Sequence, residues 1–164
     1  MKTEFEIKVT IKDMYRFLMY HTYTQSFHGI ISIVAGVLLI SFYAIRRASL
    51  YNSWIYLLFG GIFLLYLPWT LYTKAATQVK LGTAFHDPLT YVISDEGIEV
   101  KQGDAQAVTK WQDVYRVCES KKNILVYTSK SNAFIWAKDQ FLGQLPETKE
   151  ILKKNLDRKQ LKIK

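Results

Sequence analysis

The fold is decided by the stretch FHGIISIVAGVLLISFYAI, which runs from Phe27 to Ile45 and carries no formal charge. A helix of that length rises ~28 Å, close to the ~30 Å thickness of the hydrocarbon core of a bilayer. Arg46 and Arg47 end the apolar run abruptly. The stretch therefore predicts a membrane-spanning helix.

A second uncharged run, WIYLLFGGIFLLYLPWTLY, extends from Trp54 to Tyr72 after a short loop. Aromatic rings stand at both of its ends, Trp54 and Tyr56 at one and Trp69 and Tyr72 at the other, and such rings prefer the headgroup level of a membrane. Pro68 is expected to kink the last turn without breaking the crossing. The two runs together predict a transmembrane hairpin, because two apolar core helices would need a larger surrounding domain than this chain provides.

The basic residues near the ends of the two runs indicate the orientation of the hairpin. Five lie on the side of the chain termini and two lie in the loop: Lys8, Lys12, Arg16, Lys74 and Lys80 against Arg46 and Arg47. An excess of Lys and Arg marks the cytoplasmic side. We therefore expect both termini in the cytoplasm of a bacterial cell, the chain crossing the cell membrane twice, and Ala48–Asn52 outside.

Small residues in both runs predict close packing of the helices. Gly36 lies on a face of the first helix with Gly29 and Ser32, while Gly60 and Gly61 open a face on the second. Small side chains let helices approach each other closely in lipid. We expect these residues to pack the hairpin on itself, and a seam between copies in a homo-oligomer is the alternative.

Alternating polar and apolar residues predict short strands on both sides of the hairpin. Residues 3–9, TEFEIKV, alternate in this way. Thr10 and Asp13 then form a T-x-x-D capping box that opens a helix, which either lies along the membrane surface or acts as a packed connector. After the hairpin, five to seven short strands precede a basic helix predicted from Leu145 to about Lys159.

These elements predict a membrane α-helical hairpin of two transmembrane helices plus an α+β soluble domain. The domain is expected to contain an antiparallel, partly barrel-like sheet that a C-terminal helix closes and that the leading strand joins. Trp111 ends a predicted strand and is expected to anchor the core of this domain. The predicted segments are an N-terminal strand and amphipathic helix at 1–25, the hairpin at 26–73 and the soluble domain at 74–164.

The net charge of +8 is concentrated at the end of the chain. Residues 149–164 contain two acids and seven bases, namely Lys149, Lys153, Lys154, Arg158, Lys159, Lys162 and Lys164. One interpretation is a solvated helix end. The other is attraction to an anionic lipid surface or an acidic membrane protein, which for lipid amounts to about 1 kcal/mol per base near the headgroups. Nucleic acid is not expected as a partner, because no base-stacking motif accompanies the charge.

Several motifs together resemble the YcxB-like family of small bacterial membrane proteins. They are the leading FEIKVTIKDMYRFLMY, the two adjacent spans, and the succession LTYVISDEGIEV, KWQDVYRVCESKKNILVYTS and AFIWAKDQF. The resemblance covers nearly the whole chain. It implies a C-terminal domain similar to bacterial pleckstrin-homology-like modules, and it implies no established biochemical activity.

The sequence contains no pattern that indicates catalysis or transport. It lacks the Walker, G-x-S-x-G and H-E-x-x-H motifs, and neither span carries an acid or a base that would mark an ion path. Cys118 is expected to be a buried small hydrophobe, and His21 and His28 an interfacial pair without the further ligands that a metal needs. We expect no enzyme activity, no metal and no cofactor.

Two classes of function remain. The first is a membrane-anchored binding or scaffold module whose cytoplasmic domain engages a protein partner or anionic lipid headgroups. The alternative is a bacteriocin-immunity-like or envelope-stress protective protein that acts through its transmembrane hairpin.

Overall fold

The computed structural model describes residues 2–46 and 53–163. Four helices are present in these residues: α1 (Ile11–Thr24), α2 (Phe27–Arg46), α3 (Trp54–Leu81) and α4 (Leu145–Asn155). The strands are β1 (Lys2–Ile7), β2 (Leu89–Ser94), β3 (Gly97–Gln102), β4 (Ala105–Lys110), β5 (Arg116–Glu119), β6 (Asn123–Tyr127), β7 (Ala133–Ala137) and β8 (Leu161–Lys162). The loop Ala48–Asn52, predicted to face outside, lies beyond the described residues, as do Arg47 and Lys164.

Helix α1 starts at the predicted capping box. The Thr10 side chain accepts a hydrogen bond from the Asp13 backbone N–H at 3.2 Å, and the Asp13 carboxylate accepts one from the Thr10 N–H. Met14, Phe17 and Leu18 are buried along one face of the helix. This burial is the packing expected of a connector, while the position of α1 relative to a membrane stays a prediction.

Helices α2 and α3 form an antiparallel hairpin held by close backbone approach. A Cβ added to Gly36 would lie 2.7 Å from Leu64 Cγ, and one added to Gly60 would lie 3.0 Å from the Gly36 carbonyl oxygen. The Ser32 hydroxyl also donates a hydrogen bond to the Phe63 carbonyl at 2.5 Å. Around Gly61 no atom lies within 4 Å of an added Cβ, so this glycine faces away from the partner helix.

Helix α3 continues beyond the predicted span. It passes Pro68 without ending, and it includes residues 73–81, which lie beyond the end of the predicted hairpin. The segment TKAATQVK is polar, but Ala, Lys and Gln are good helix formers, so hydropathy marks the end of the apolar run and not the end of the helix. The helix ends at Leu81, and the Gly82 N–H donates to the Gln78 carbonyl at 2.9 Å.

The strands form two four-stranded sheets among the described residues, in the orders β1-β2-β3-β4 and β7-β6-β5-β8. The leading strand joins the first sheet as predicted, with Ile7 opposite Leu89 and Lys2 opposite Ser94. The predicted α+β domain with antiparallel strands is confirmed, but its strands form two sheets, the described residues contain no closed barrel, and β8 pairs parallel with β5. Because β1 and β2 are neighbours in the sheet, the long hairpin is an insertion between two paired strands.

One hydrophobic core joins the N-terminal segment to the sheets and to α4. Trp136 has no exposed surface and lies 5.4 Å from the Phe5 ring and 5.5 Å from the Tyr91 ring, centre to centre. Ile151 and Leu152 of α4 are also completely buried. The soluble unit therefore contains residues 2–24 as well as the segment after α3.

Helix α4 is shorter than predicted, because it ends at Asn155 and not near Lys159. Leu156 adopts an extended conformation, and its side chain remains buried in the core. The chain then turns so that Leu161 pairs with Val117 in β5. A bend and a turn at residues 156–160 replace the last predicted turn of the helix.

Candidate functional site

The first base of the predicted tail surface takes part in an ion pair inside the soluble unit. Lys149 Nζ lies 2.9 Å from Glu119 Oε1, and Lys138 Nζ lies 2.5 Å from the same oxygen. All three side chains are mostly shielded from solvent. Lys149 thus ties α4 to β5, and its charge is balanced within the protein.

A second tail residue forms a more exposed pair. Lys154 Nζ donates to Asp95 Oδ1 at 3.0 Å, which links α4 to the turn between β2 and β3. The hydrogen bond from Lys154 lowers the pKa of the Asp95 carboxyl to about 2. This pair holds the C-terminal half of α4 on the first sheet.

Of the remaining bases of the tail, only Lys153 lies on α4, one turn after Lys149. Lys153 is exposed on α4, and Arg158 and Lys159 are exposed on the turn that follows it. Lys162 is exposed on β8, opposite Cys118. The tail residues are therefore distributed over a helix, a turn and a strand.

The two tryptophans of the soluble unit have different roles. Trp111 is half-buried in a short 3-10 helix, packs against the core and donates from Nε1 to the Ser94 carbonyl at 3.0 Å. Trp136 is the larger contributor, since it is completely buried among three aromatic rings. The sequence analysis expected Trp111 to anchor this core, and nothing in the sequence marked Trp136 as its centre.

A cleft of about 890 Å³ separates α1 and the last turns of α3 from the sheets. One wall comes from α3, where Lys74, Thr77, Gln78 and Leu81 lie at helical spacing on one face. The other walls come from α1, from both sheets and from the turn before β7; their members include Phe17, His21, Tyr91, Val100, Ser131, Asn132 and Phe134. The residues that line the cleft include no Asp or Glu.

Two basic side chains line this cleft, and a third, Arg116, lies near His21 without reaching the lining. His21 and Lys74 line it directly. The His21 ring lies 6.1 Å from the Tyr127 ring, and the Arg116 guanidinium carbon lies 4.7 Å from the centre of that same ring. We call His21, Lys74 and Arg116 the cation cluster.

The cation cluster has unused hydrogen-bonding capacity. His21 Nδ1 and Arg116 Nε are both buried, and neither has a hydrogen-bond partner in the described part of the chain. Burial lowers the pKa of His21, and the charges of Arg116 and Lys74 lower it further. Buried polar atoms are normally hydrogen-bonded, so these two atoms are exceptions, and the positive charge of Lys74 and Arg116 beside them favours an anion in the cleft.

The sequence did not predict this cluster. His21 had been paired with His28, but His28 Nδ1 lies 2.8 Å from the Ser26 hydroxyl and His21 faces the cleft. Lys74 had been used only in the count of basic residues that indicates the orientation of the hairpin, and Arg116 had no assigned role. The available signal was the position of His21 on the same face of α1 as Phe17, four residues earlier, which places the ring towards the core.

The residues that line the cleft include no cysteine. Cys118 is completely buried, as predicted, with no solvent-accessible sulfur that a substrate could reach. Among residues 2–46 and 53–163 there is no group of three His, Cys, Asp or Glu side chains placed to hold a metal. The basic and polar side chains that line the cleft could hold an anion through charge and hydrogen bonds.

Comparison with known proteins supports the predicted resemblance. A family model described as YcxB-like protein matches residues 93–152, from β2 to α4. The chain is similar to the YcxB-like proteins. One relative, the uncharacterized protein YcxB of Bacillus subtilis (strain 168), is 28% identical over 115 residues, which is 69% of this chain. The match spans 62% of that relative's length, and no solved structure matches the chain.

Proposed function

We propose that this chain is a bilayer-anchored, non-catalytic binding module. In this proposal α2 and α3 cross the bacterial cell membrane, and the soluble unit engages anionic headgroups at the adjacent leaflet. The supporting observation is the uncovered apolar surface of the two helices: only 11% and 6% of their most apolar windows are buried. Soluble proteins rarely leave contiguous apolar surface of this extent in water.

The sheet topology supports a hairpin with both ends on one side. β1 precedes the hairpin and β2 follows it, and the two strands pair along their whole length. A chain that enters and leaves the membrane beside one sheet returns to the leaflet where it started. The five bases on this side favour the cytoplasm.

The strand order also supports a pleckstrin-homology-like soluble unit. A four-stranded antiparallel sheet is followed by the three-stranded meander β5-β6-β7 and then by α4. The terminal helix packs Ile151 and Leu152 into the core that both sheets share. The unit would differ from a simple module of this type by carrying the membrane hairpin between its first two strands.

Alkaline carbonate extraction of bacterial membranes that contain the full chain tests the anchoring. The wild type is expected to stay in the pellet. A double variant, Leu38→Lys with Leu65→Lys, places charges at positions 64% and 71% exposed in the spans and is expected in the supernatant or degraded, because each Lys costs about 2.5–3.5 kcal/mol at the centre of a span. Val108→Lys is the matched control, since Val108 is 61% exposed on β4. Extraction of the wild type would refute the anchoring.

The orientation has its own test. A single cysteine at position 50, in a Cys118→Ser background, is expected to react with an impermeant thiol reagent in intact cells. Labelling only after lysis would place the loop inside and overturn the cytoplasmic termini.

A further inference from the structure

The cation cluster lies where α3 leaves the predicted membrane span. Lys74 follows Tyr72 by two residues, which is ~3 Å along the helix axis. Trp69 and Tyr72 are exposed aromatic residues at the end of that span, and such rings mark the headgroup level. His21 lines the same end of the cleft as Lys74, so the mouth of the cleft is at the depth of lipid phosphates.

The charge of the cluster is not balanced inside the protein. Some bases of the described residues pair with acids, such as Lys149 with Glu119 and Lys154 with Asp95. Within the described residues, no Asp or Glu forms an ion pair with the side chains of His21, Lys74 or Arg116. Positive charge held at a cleft without acids favours an anion from outside.

Beyond the cluster, the cleft presents polar groups that could bind hydroxyls. Thr77 and Gln78 follow Lys74 on the same face of α3, and Ser131 and Asn132 face them from the turn before β7. The side chains of Thr77 and Gln78 make no hydrogen bond within the described residues. A ligand with a phosphate at the mouth and hydroxyls beyond it matches this order of groups.

We propose that the cleft binds the headgroup of an anionic phospholipid of the phosphatidylglycerol type, from the leaflet where α3 ends. In this complex His21 and Lys74 contact the phosphate, and Arg116 adds positive charge beside His21. The side chains of Thr77 and Gln78 form hydrogen bonds with the glycerol hydroxyls. The acyl chains stay in the bilayer next to α3. This inference rests on the proposed membrane anchoring and names the lipid class that the anchored unit selects.

Native mass spectrometry of the full chain, released from nanodiscs of equal phosphatidylglycerol and phosphatidylcholine, tests the selection. The wild type is expected to retain phosphatidylglycerol preferentially. Lys74→Gln and Arg116→Gln are each expected to weaken this preference about fivefold, the effect of about 1 kcal/mol per base. Lys80→Gln is the matched control, because Lys80 lies on the same helix outside the cleft. Equal retention of both lipids, or equal loss in Lys80→Gln, would overturn the inference.

A second measurement separates a lipid from a free anion and from a protein ligand. In the full chain labelled with ¹⁵N-histidine, short-chain phosphatidylglycerol is expected to shift the His21 ring resonances, while glycerol phosphate and inorganic phosphate at the same concentration do not. Equal shifts with the free anions would refute the lipid. Lack of any shift would also refute it and would favour a protein partner. Carbonate extraction measures membrane anchoring separately. A chain that stays in the membrane pellet but does not prefer phosphatidylglycerol would therefore refute the lipid selection and leave the anchoring intact.

Discussion

Gly36 and Gly60 face each other across the hairpin so closely that a Cβ on Gly60 would lie 3.0 Å from the Gly36 carbonyl oxygen and 2.6 Å from Ile40 Cγ1. The neighbouring Gly61 has open space instead. Adjacent glycines in one helix therefore have opposite surroundings. The contact at Gly60 packs the hairpin on itself, which is the interpretation preferred over a seam between copies.

This difference predicts opposite effects for two adjacent substitutions. Gly60→Ala should destabilise the hairpin by about 1–3 kcal/mol, because the backbone of the facing helix must move. Gly61→Ala should be neutral or stabilising by up to about 1 kcal/mol, since alanine favours a helix over glycine. Thermal unfolding of the full chain in one detergent measures both. Equal effects of the two substitutions would contradict the packing at Gly60.

The core predicts a larger effect at Trp136 than at Trp111. Trp136→Ala should destabilise the soluble unit by roughly 3–5 kcal/mol, because it leaves a cavity between Phe5, Tyr91 and Phe141. Trp111→Ala removes a half-buried ring and one hydrogen bond, the latter contributing about 1 kcal/mol. Near-ultraviolet circular dichroism on heating compares the two variants. A Trp111 variant that melts as early as the Trp136 variant would restore Trp111 as the main anchor.

The discontinuous core predicts how fragments behave. Residues 73–164 alone should be largely unfolded, because they lack β1 and α1 and with them Phe5, Phe17 and Leu18 of the core. Residues 2–24 joined to residues 73–164 by a flexible linker should fold. Dispersion of amide resonances distinguishes the two chains. A well-dispersed spectrum from residues 73–164 alone would show that the N-terminal segment is dispensable.

The environment of His21 predicts a dependence of stability on pH. Burial and the charges of Arg116 and Lys74 lower the pKa of His21 below its ordinary 6.5 in the folded chain. The unfolded chain therefore binds this proton more readily, so stability is complete above pH ~6.5 and falls as the pH drops from there towards the folded pKa. His21→Gln should lose part of this dependence. His28→Gln is the control, and identical pH profiles of all three proteins would contradict the assignment.

The sequence predicted what depends on local pattern. The charge-free runs located α2 and α3, the T-x-x-D box located the start of α1, and alternation placed Phe5 and Ile7 on the buried side of β1. The extension of α3 was missed because its last turns are polar, and hydropathy does not distinguish a polar helix from a loop.

The candidate site could not be predicted in this way. His21, Lys74 and Arg116 come from α1, α3 and β5, and only the packing of α1 against β6 and α3 brings them together. The same limit applies to the tail, where Lys149 and Lys154 were assigned to an outward surface. Their acid partners, Glu119 and Asp95, are far away in sequence and become neighbours when α4 docks on the sheets.

The pairing of β1 with β2 has a consequence for the order in which the chain matures during synthesis. A ribosome completes β1 and α1 well before it makes Leu89, the partner of Ile7. In the interval Phe5 and Ile7 have no sheet to join, and both helices of the hairpin are made before β2. If the hairpin enters the bilayer as proposed, two crossings bring β1 and β2 to one side of the membrane, where the core can close. A single crossing would leave the two strands on opposite sides, so completion of the soluble unit would then depend on correct insertion of the helices.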